Sequence, residues 1–172
     1  MAQLLELVFE SATKARAAEL MQDLATVSGS EYAVICDGKT ILPETSLNKL
    51  LSDTHSCAAM RFLDFAMPGI GVVPGVVVRV LKTAEDLFDI EVSLDLDDVE
   101  HLENFAPALC RFASGLAQRH RIRNFFAGLE PACDHDTRIF TQESLGPLEL
   151  QGPKGPKARP KEGPKGNGKG QA

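Results

Sequence analysis

Two short clusters carry the side chains best suited to chemistry: His55-Ser56-Cys57 and Cys133-Asp134-His135. Each sets a histidine and a cysteine one residue apart, so His55, Cys57, Cys133 and His135 would make a Cys₂His₂ zinc site if the fold joined them. Structural zinc sites usually place two to four residues between paired ligands, and the single spacer here argues against one. A Cys-His nucleophile could be drawn from Cys57 or Cys133 with His55, His120 or His135. With four cysteines (Cys36, Cys57, Cys110, Cys133) and four histidines in the chain, such pairs arise by number alone, and no local signature accompanies any of them. The plainer expectation is that Cys57 packs and Asp134-His135-Asp136 forms a solvated turn. No metal and no cofactor is expected.

Gly69-Ile70-Gly71 and Gly75 resemble a phosphate loop only superficially. No Lys-Ser/Thr pair follows, no helix opens there, and GxGxxG is incomplete, so these are read as turn glycines. GxSxG, HExxH and the calcium-loop pattern are absent. Carboxylates are plentiful, but none sits among apolar residues that would raise its pKa for acid catalysis.

The carboxylates do have a pattern. From Glu85 to Glu103 there are nine acidic residues and no lysine or arginine. Phe88, Ile90, Val92, Leu94 and Leu96 alternate with Asp89, Glu91, Ser93, Asp95 and Asp97. A period of two marks a half-buried strand whose outer face would be a ladder of acids. Such a ladder repels itself, at a cost to the fold, and speeds the capture of a basic partner. Residues two apart on a flat strand do not converge on one cation as a calcium loop does.

The elements that position this strand follow from the flanking sequence. Gln3 to Glu10 reads as a strand with Leu5, Leu7 and Phe9 on one face. Ser11 reads as the N-cap of a helix carrying Leu20, Met21 and Leu24, which Ser28-Gly29 ends. Glu31 to Cys36 is a short strand closed by the turn pair Asp37-Gly38. Leu42 to Ala59 contains a short helical pattern, and Met60 to Met67 an irregular strand. Val76 to Leu81 should pair with the acidic strand as an antiparallel hairpin. Asp97 or Asp98 is placed to cap a second helix, whose stripe runs from Val99 to Leu116 with Pro107 inside it. Ile122 to Leu129 reads as the last strand.

The expected fold class is therefore α+β, a single domain with a mainly antiparallel sheet packed against two principal helices. The globular part spans residues 1–150 and carries a charge of −11. Residues 151–172, rich in Gly, Pro and Lys, carry +5 and are expected to be a disordered basic tail. The N-terminus lacks a signal-peptide pattern and the longest apolar run is too short to span a membrane. The cysteine pattern does not suit a secreted disulfide framework. The location expected is cytoplasmic.

These features point to a non-enzymatic acidic binding protein that neutralises a basic protein partner. The concrete form is a bacterial cytoplasmic immunity protein, antitoxin-like, blocking the active site of a toxin such as a nuclease. The expected contacts are Asp89, Glu91, Asp95, Asp97, Asp98 and Glu100, and reversing Asp89, Glu91 and Asp95 to lysine is expected to spare the fold. The alternatives are a small enzyme using the Cys/His residues and an accessory protein tethered to nucleic acid by its tail.

Overall fold

A computed structural model describes residues 3–28, 32–36, 39–41 and 57–150. The expected helical pattern within 42–56 and the tail 151–172 lie outside the described residues. Among the described residues, ten strands and two α-helices follow in the order β1 (Leu4–Thr13), α1 (Lys14–Ser28), β2 (Tyr32–Cys36), β3 (Lys39–Ile41), β4 (Cys57–Phe62), β5 (Asp64–Met67), β6 (Gly71–Pro74), β7 (Val77–Ala84), β8 (Leu87–Asp95), α2 (Leu102–His120), β9 (Asn124–Leu129) and β10 (Arg138–Thr141). Eight strands form one sheet in the order β10-β9-β1-β8-β7-β4-β2-β3, while β5 and β6 make a separate hairpin. All the pairings are antiparallel. The architecture is α+β, as the sequence implies.

The acidic strand is β8, and it lies inside the sheet between β1 and β7. Its alternation holds residue by residue: Phe88, Ile90, Val92 and Leu94 are buried, while Asp89, Glu91, Ser93 and Asp95 are half-buried on the other face. Register carries the inner face across the neighbouring strands. Leu7 and Val78 flank Val92, and Phe9 and Val80 flank Ile90. Leu5, Leu7 and Phe9 are fully buried, and each large side chain so buried is worth roughly 1.5–3 kcal/mol of transfer free energy.

Two helices and the β5–β6 hairpin cover this inner face. Helix α1 contributes Ala17, Leu20, Met21 and Leu24, and α2 contributes Phe105, Leu109, Ala113 and Leu116, both at three-and-four spacing. Phe65 of the hairpin packs edge-on to Phe62 at 5.2 Å and to Phe112 at 6.5 Å. The helices are also joined by polar contacts. Asp23 of α1 takes Arg119 Nη1 at 2.8 Å and His120 Nε2 at 2.9 Å, with Glu19 Oε2 3.8 Å from the other ring nitrogen. The Arg119 hydrogen bond, helped by His120, outweighs partial burial and holds the Asp23 carboxyl below its ordinary range.

Several local expectations need correction. Ser11 does not cap α1. It lies within β1 at a bulge between Phe9 and Ala12, with φ +56°, a conformation serine rarely adopts. Its N–H donates to Asp89 Oδ1 at 2.8 Å, so a contact from β8 holds the bulge and the strand continues to Thr13. Asp97 and Asp98 do not cap α2 either. Asp95 accepts the Asp97 N–H at 3.0 Å and starts a 3₁₀ turn, Leu96–Asp98; α2 begins later, after His101. Pro107 lies in the interior of α2, exposed, and the helix runs through it. Met60 to Met67 is two strands broken at Leu63, and β10 follows where no strand was expected. The β7–β8 hairpin forms as expected, and β2 and β3 pair with Cys36 opposite Lys39. Gly69 and Gly75 occupy turns at φ +80° and +68°, the role glycine fills at least strain.

Candidate functional site

Residues of one row of an antiparallel sheet share a face, so the outer face can be built from the register. Glu91 faces Val8 of β1 on one side and Arg79 of β7 on the other. Glu6 of β1 stands opposite Ser93. The Arg79 guanidinium bridges these rows. One Nη lies 3.3 Å from Glu6 Oε1 and 3.3 Å from Ser93 Oγ, and Nε lies 3.3 Å from Glu91 Oε2. That last contact is an ion pair without hydrogen-bond alignment, since the buried Nε makes no hydrogen bond. The ladder of acids is therefore not wholly uncompensated: Arg79, outside the acidic stretch, offsets part of it.

One guanidinium does not balance the groove around it. Glu6, Glu10, Asp89, Glu91 and Glu130 all line the same hollow beside Arg79. Burial pushes the Glu91 carboxyl above its ordinary value. The charges of Glu6, Asp89 and Glu130 push the same way and Arg79 opposes them. A carboxylate in that condition gains when a further cation arrives.

Among the described residues, one side of the outer face is covered. The loop after β9 folds back over β9 and β1: Ala132 N–H donates to Glu6 Oε2 at 3.1 Å, while Arg138 donates to the Ala132 and Cys133 carbonyls. Beneath the loop, Val8, Phe126 and Ala132 form a small buried cluster, with the Arg138 guanidinium 4.3 Å above the Phe126 ring. Gly128 permits this closeness, since a Cβ there would sit 2.6 Å from the Thr137 carbonyl oxygen.

The six expected contact residues fall into two groups. Asp89, Glu91 and Asp95 lie on the outer face of β8, and each has a partner within the chain (Ser11 N–H, Arg79 and Asp97 N–H respectively). Asp97, Asp98 and Glu100 lie past the end of the strand, exposed. Reasoning from sequence missed Glu6, Glu10, Arg79 and Glu130. The first two were visible as the polar positions alternating with Leu5, Leu7 and Phe9. Arg79 was recoverable from the β7–β8 hairpin, which places it opposite Glu91 once the register is set.

Of the two Cys/His clusters, only Cys133-Asp134-His135 lies wholly among the described residues. Cys133 and His135 are exposed in the loop after β9, His135 meeting Asp136 at 3.5 Å. Cys57 opens β4 opposite Leu81, and His55 lies outside the described residues. Among the described residues no three His, Cys, Asp or Glu side chains group to hold a metal ion. His120 is buried, holding α1 to α2 through Asp23. Among the described residues no helix is long and apolar enough to cross a membrane.

Among curated proteins nothing matches. Among solved structures the chain is similar to a chain from the crystal structure of the toxic C-terminal tip of CdiA from Pseudomonas aeruginosa in complex with immune protein. The identity is 24%, the TM-score 0.70, and the alignment covers 86% of this chain and 99% of that one; at this identity the likeness establishes the fold. A model of the PABL017 Cdi1I immunity protein family matches residues 3–145, and the chain belongs to that family.

Proposed function

We propose that this immunity protein neutralises its toxin as a non-enzymatic inhibitor, laying its acidic face over a basic active site in the bacterial cytoplasm. The observation that carries the reading is the crowding of five carboxylates, Glu6, Glu10, Asp89, Glu91 and Glu130, around the one guanidinium of Arg79 in a single groove, a surface complementary to a cationic one. The upward push on the Glu91 carboxyl, from burial first and then from Glu6, Asp89 and Glu130, agrees with it. The complex between a CdiA tip and its immune protein, in which the similar fold was solved, supports a toxin as the partner. A nuclease suits the face best, because a site that binds a polyanion displays lysine and arginine. The contact residues are Asp89, Glu91, Asp95, Asp97, Asp98 and Glu100.

The test is association with the purified cognate toxin domain at two salt concentrations. Reversal to lysine is a poor probe here, because Asp89 and Asp95 accept backbone N–H groups. The neutral variant Glu91→Gln/Asp97→Asn/Asp98→Asn/Glu100→Gln avoids those bonds. It should stay folded by circular dichroism, associate on the order of tenfold more slowly, and depend less on salt. A folded variant that associates at the wild-type rate, with the wild-type salt dependence, would refute the acidic face as the docking surface.

A further inference from the structure

The acids of the docking face are not equivalent. Asp89, Glu91 and Asp95 are engaged within the chain, whereas Asp97, Asp98 and Glu100 are exposed and make no side-chain hydrogen bond or ion pair among the described residues. Two of the free acids border a hollow of about 420 Å³ at the end of the sheet. Its walls come from the β5–β6 hairpin (Ile70, Val72 and Pro74) and from Val99, with Asp98 and Glu100 at its side. Alternation in β6 turns Val73 into the core and Val72 outward: Val73 is 1% exposed and Val72 63%. An apolar wall beside two unpaired carboxylates is an incomplete environment for either kind of group alone.

It is complete for an amphipathic cation. Lysine and arginine lay an apolar stem along hydrophobic surface and carry the charge at the tip. We infer that this hollow receives one lysine or arginine side chain of the toxin, its stem against Val72 and Val99 and its charged head between Asp98 and Glu100. The inference rests on the acidic-face reading and adds an anchor point to it. A purely apolar occupant would strip water from two carboxylates and leave them unpaired, which is costly. A divalent cation would find only two carboxylate side chains, fewer than a calcium site gathers. Among the described residues the chain does not supply the cation itself. Arg61 borders the adjoining groove together with Asp98 and Pro74, yet it forms no ion pair with Asp98 among the described residues.

A double-mutant cycle with the purified cognate toxin domain separates one occupied pocket from a diffuse field. The variants are Val72→Ser, Asp98→Asn/Glu100→Gln, and the two combined, with Val72→Met as the conservative control. Val72→Ser should weaken binding several-fold through faster dissociation, with little salt dependence, because it removes apolar contact. Asp98→Asn/Glu100→Gln should weaken it about tenfold. The combined loss should fall clearly short of the product of the two, since stem and head belong to one side chain, and Val72→Met should bind within about twofold of wild type. If Val72→Ser binds like wild type, or the two losses multiply, the pocket is not an anchor. In that case weakening by Glu91→Gln would leave the acidic face standing, whereas no loss in any charge variant would overturn both readings.

Discussion

Arg79 should be a stabilising residue by virtue of the acids around it, and Arg79→Met tests this because it keeps an apolar stem and removes the charge. At 3.3 Å from both Glu6 and Glu91, and with an effective dielectric of about 20, Coulomb attraction is about 5 kcal/mol for each pair. Much of that is lost to screening, because the Arg79 side chain is 37% exposed. The remainder is not negligible, because Glu6 and Glu91 retain only 12% and 20% side-chain exposure. Left without their cation they would repel one another and Asp89, Glu10 and Glu130. A net loss of about 2 kcal/mol is expected, below the range for breaking a fully buried pair.

The pH dependence sharpens the test. The folded-state pKa of Glu91 lies above its ordinary value, and Arg79 opposes that rise, so the variant should raise it further. A carboxyl raised on folding binds more protons in the folded state, so its penalty is full above the folded pKa. The penalty is relieved as pH falls towards the ordinary value of 4.5. The deficit of Arg79→Met should therefore narrow between neutral pH and about pH 5, and adding Glu91→Gln should recover much of it at neutral pH. Urea denaturation of the single and double variants at both pH values is the assay. A single variant as stable as wild type at neutral pH, or a deficit that widens in acid, would refute the reasoning.

Asp23 titrates in the opposite sense: its lowered pKa means its contribution is present above 3.8 and lost as pH falls through the folded value. Asp23→Asn should cost about 1 kcal/mol at neutral pH and nothing in strong acid, read by denaturation at each pH. Gly128→Ala should cost about 2 kcal/mol by the same method, because the new Cβ would meet the Thr137 carbonyl oxygen at 2.6 Å. Deleting residues 151–172 should leave the calorimetric Tm within a few degrees of wild type; a larger drop would show that the tail packs on the body.

What could be read from the sequence was whatever depends on local periodicity. The alternation of Phe88 to Leu96 placed β8 and its faces correctly, and the short connection after Leu81 predicted its hairpin with β7. The failures were tertiary. Ser11 has the residue type of a helix cap, but Asp89, 78 residues away, takes its N–H and keeps β1 extended. Asp97 and Asp98 look like caps for α2, but they lie in a 3₁₀ turn started by Asp95, and α2 begins only after His101. β10 is only four residues long and lies beside β9, so its pairing and not its pattern makes it a strand. The same limit hid the candidate site. Arg79 and Glu91 are ordinary surface residues in sequence, and only the register shows that they share a groove with Glu6.

The position of β8 within the sheet explains why the acids divide as they do. A strand flanked on both sides lies within reach of outward side chains from two neighbours, so its own outward acids meet groups of the same chain. Arg79 reaches Glu91, and the bulge of β1 presents Ser11 N–H to Asp89. Beyond Asp95 the strand gives way to a 3₁₀ turn, and Asp97, Asp98 and Glu100 are exposed with no side-chain hydrogen bond or ion pair among the described residues. The loop after β9 occupies the β9–β1 side of the face, so under the proposed reading the partner approaches over β8 and β7. Under that reading it would meet first the free acids, whose long-range field would govern encounter, and then the half-neutralised groove. On this geometry, a charge change at Asp97, outside the hollow, should act mainly on association, whereas Val72, Asp98 and Glu100, which would hold one side chain of the partner, should act on dissociation as well.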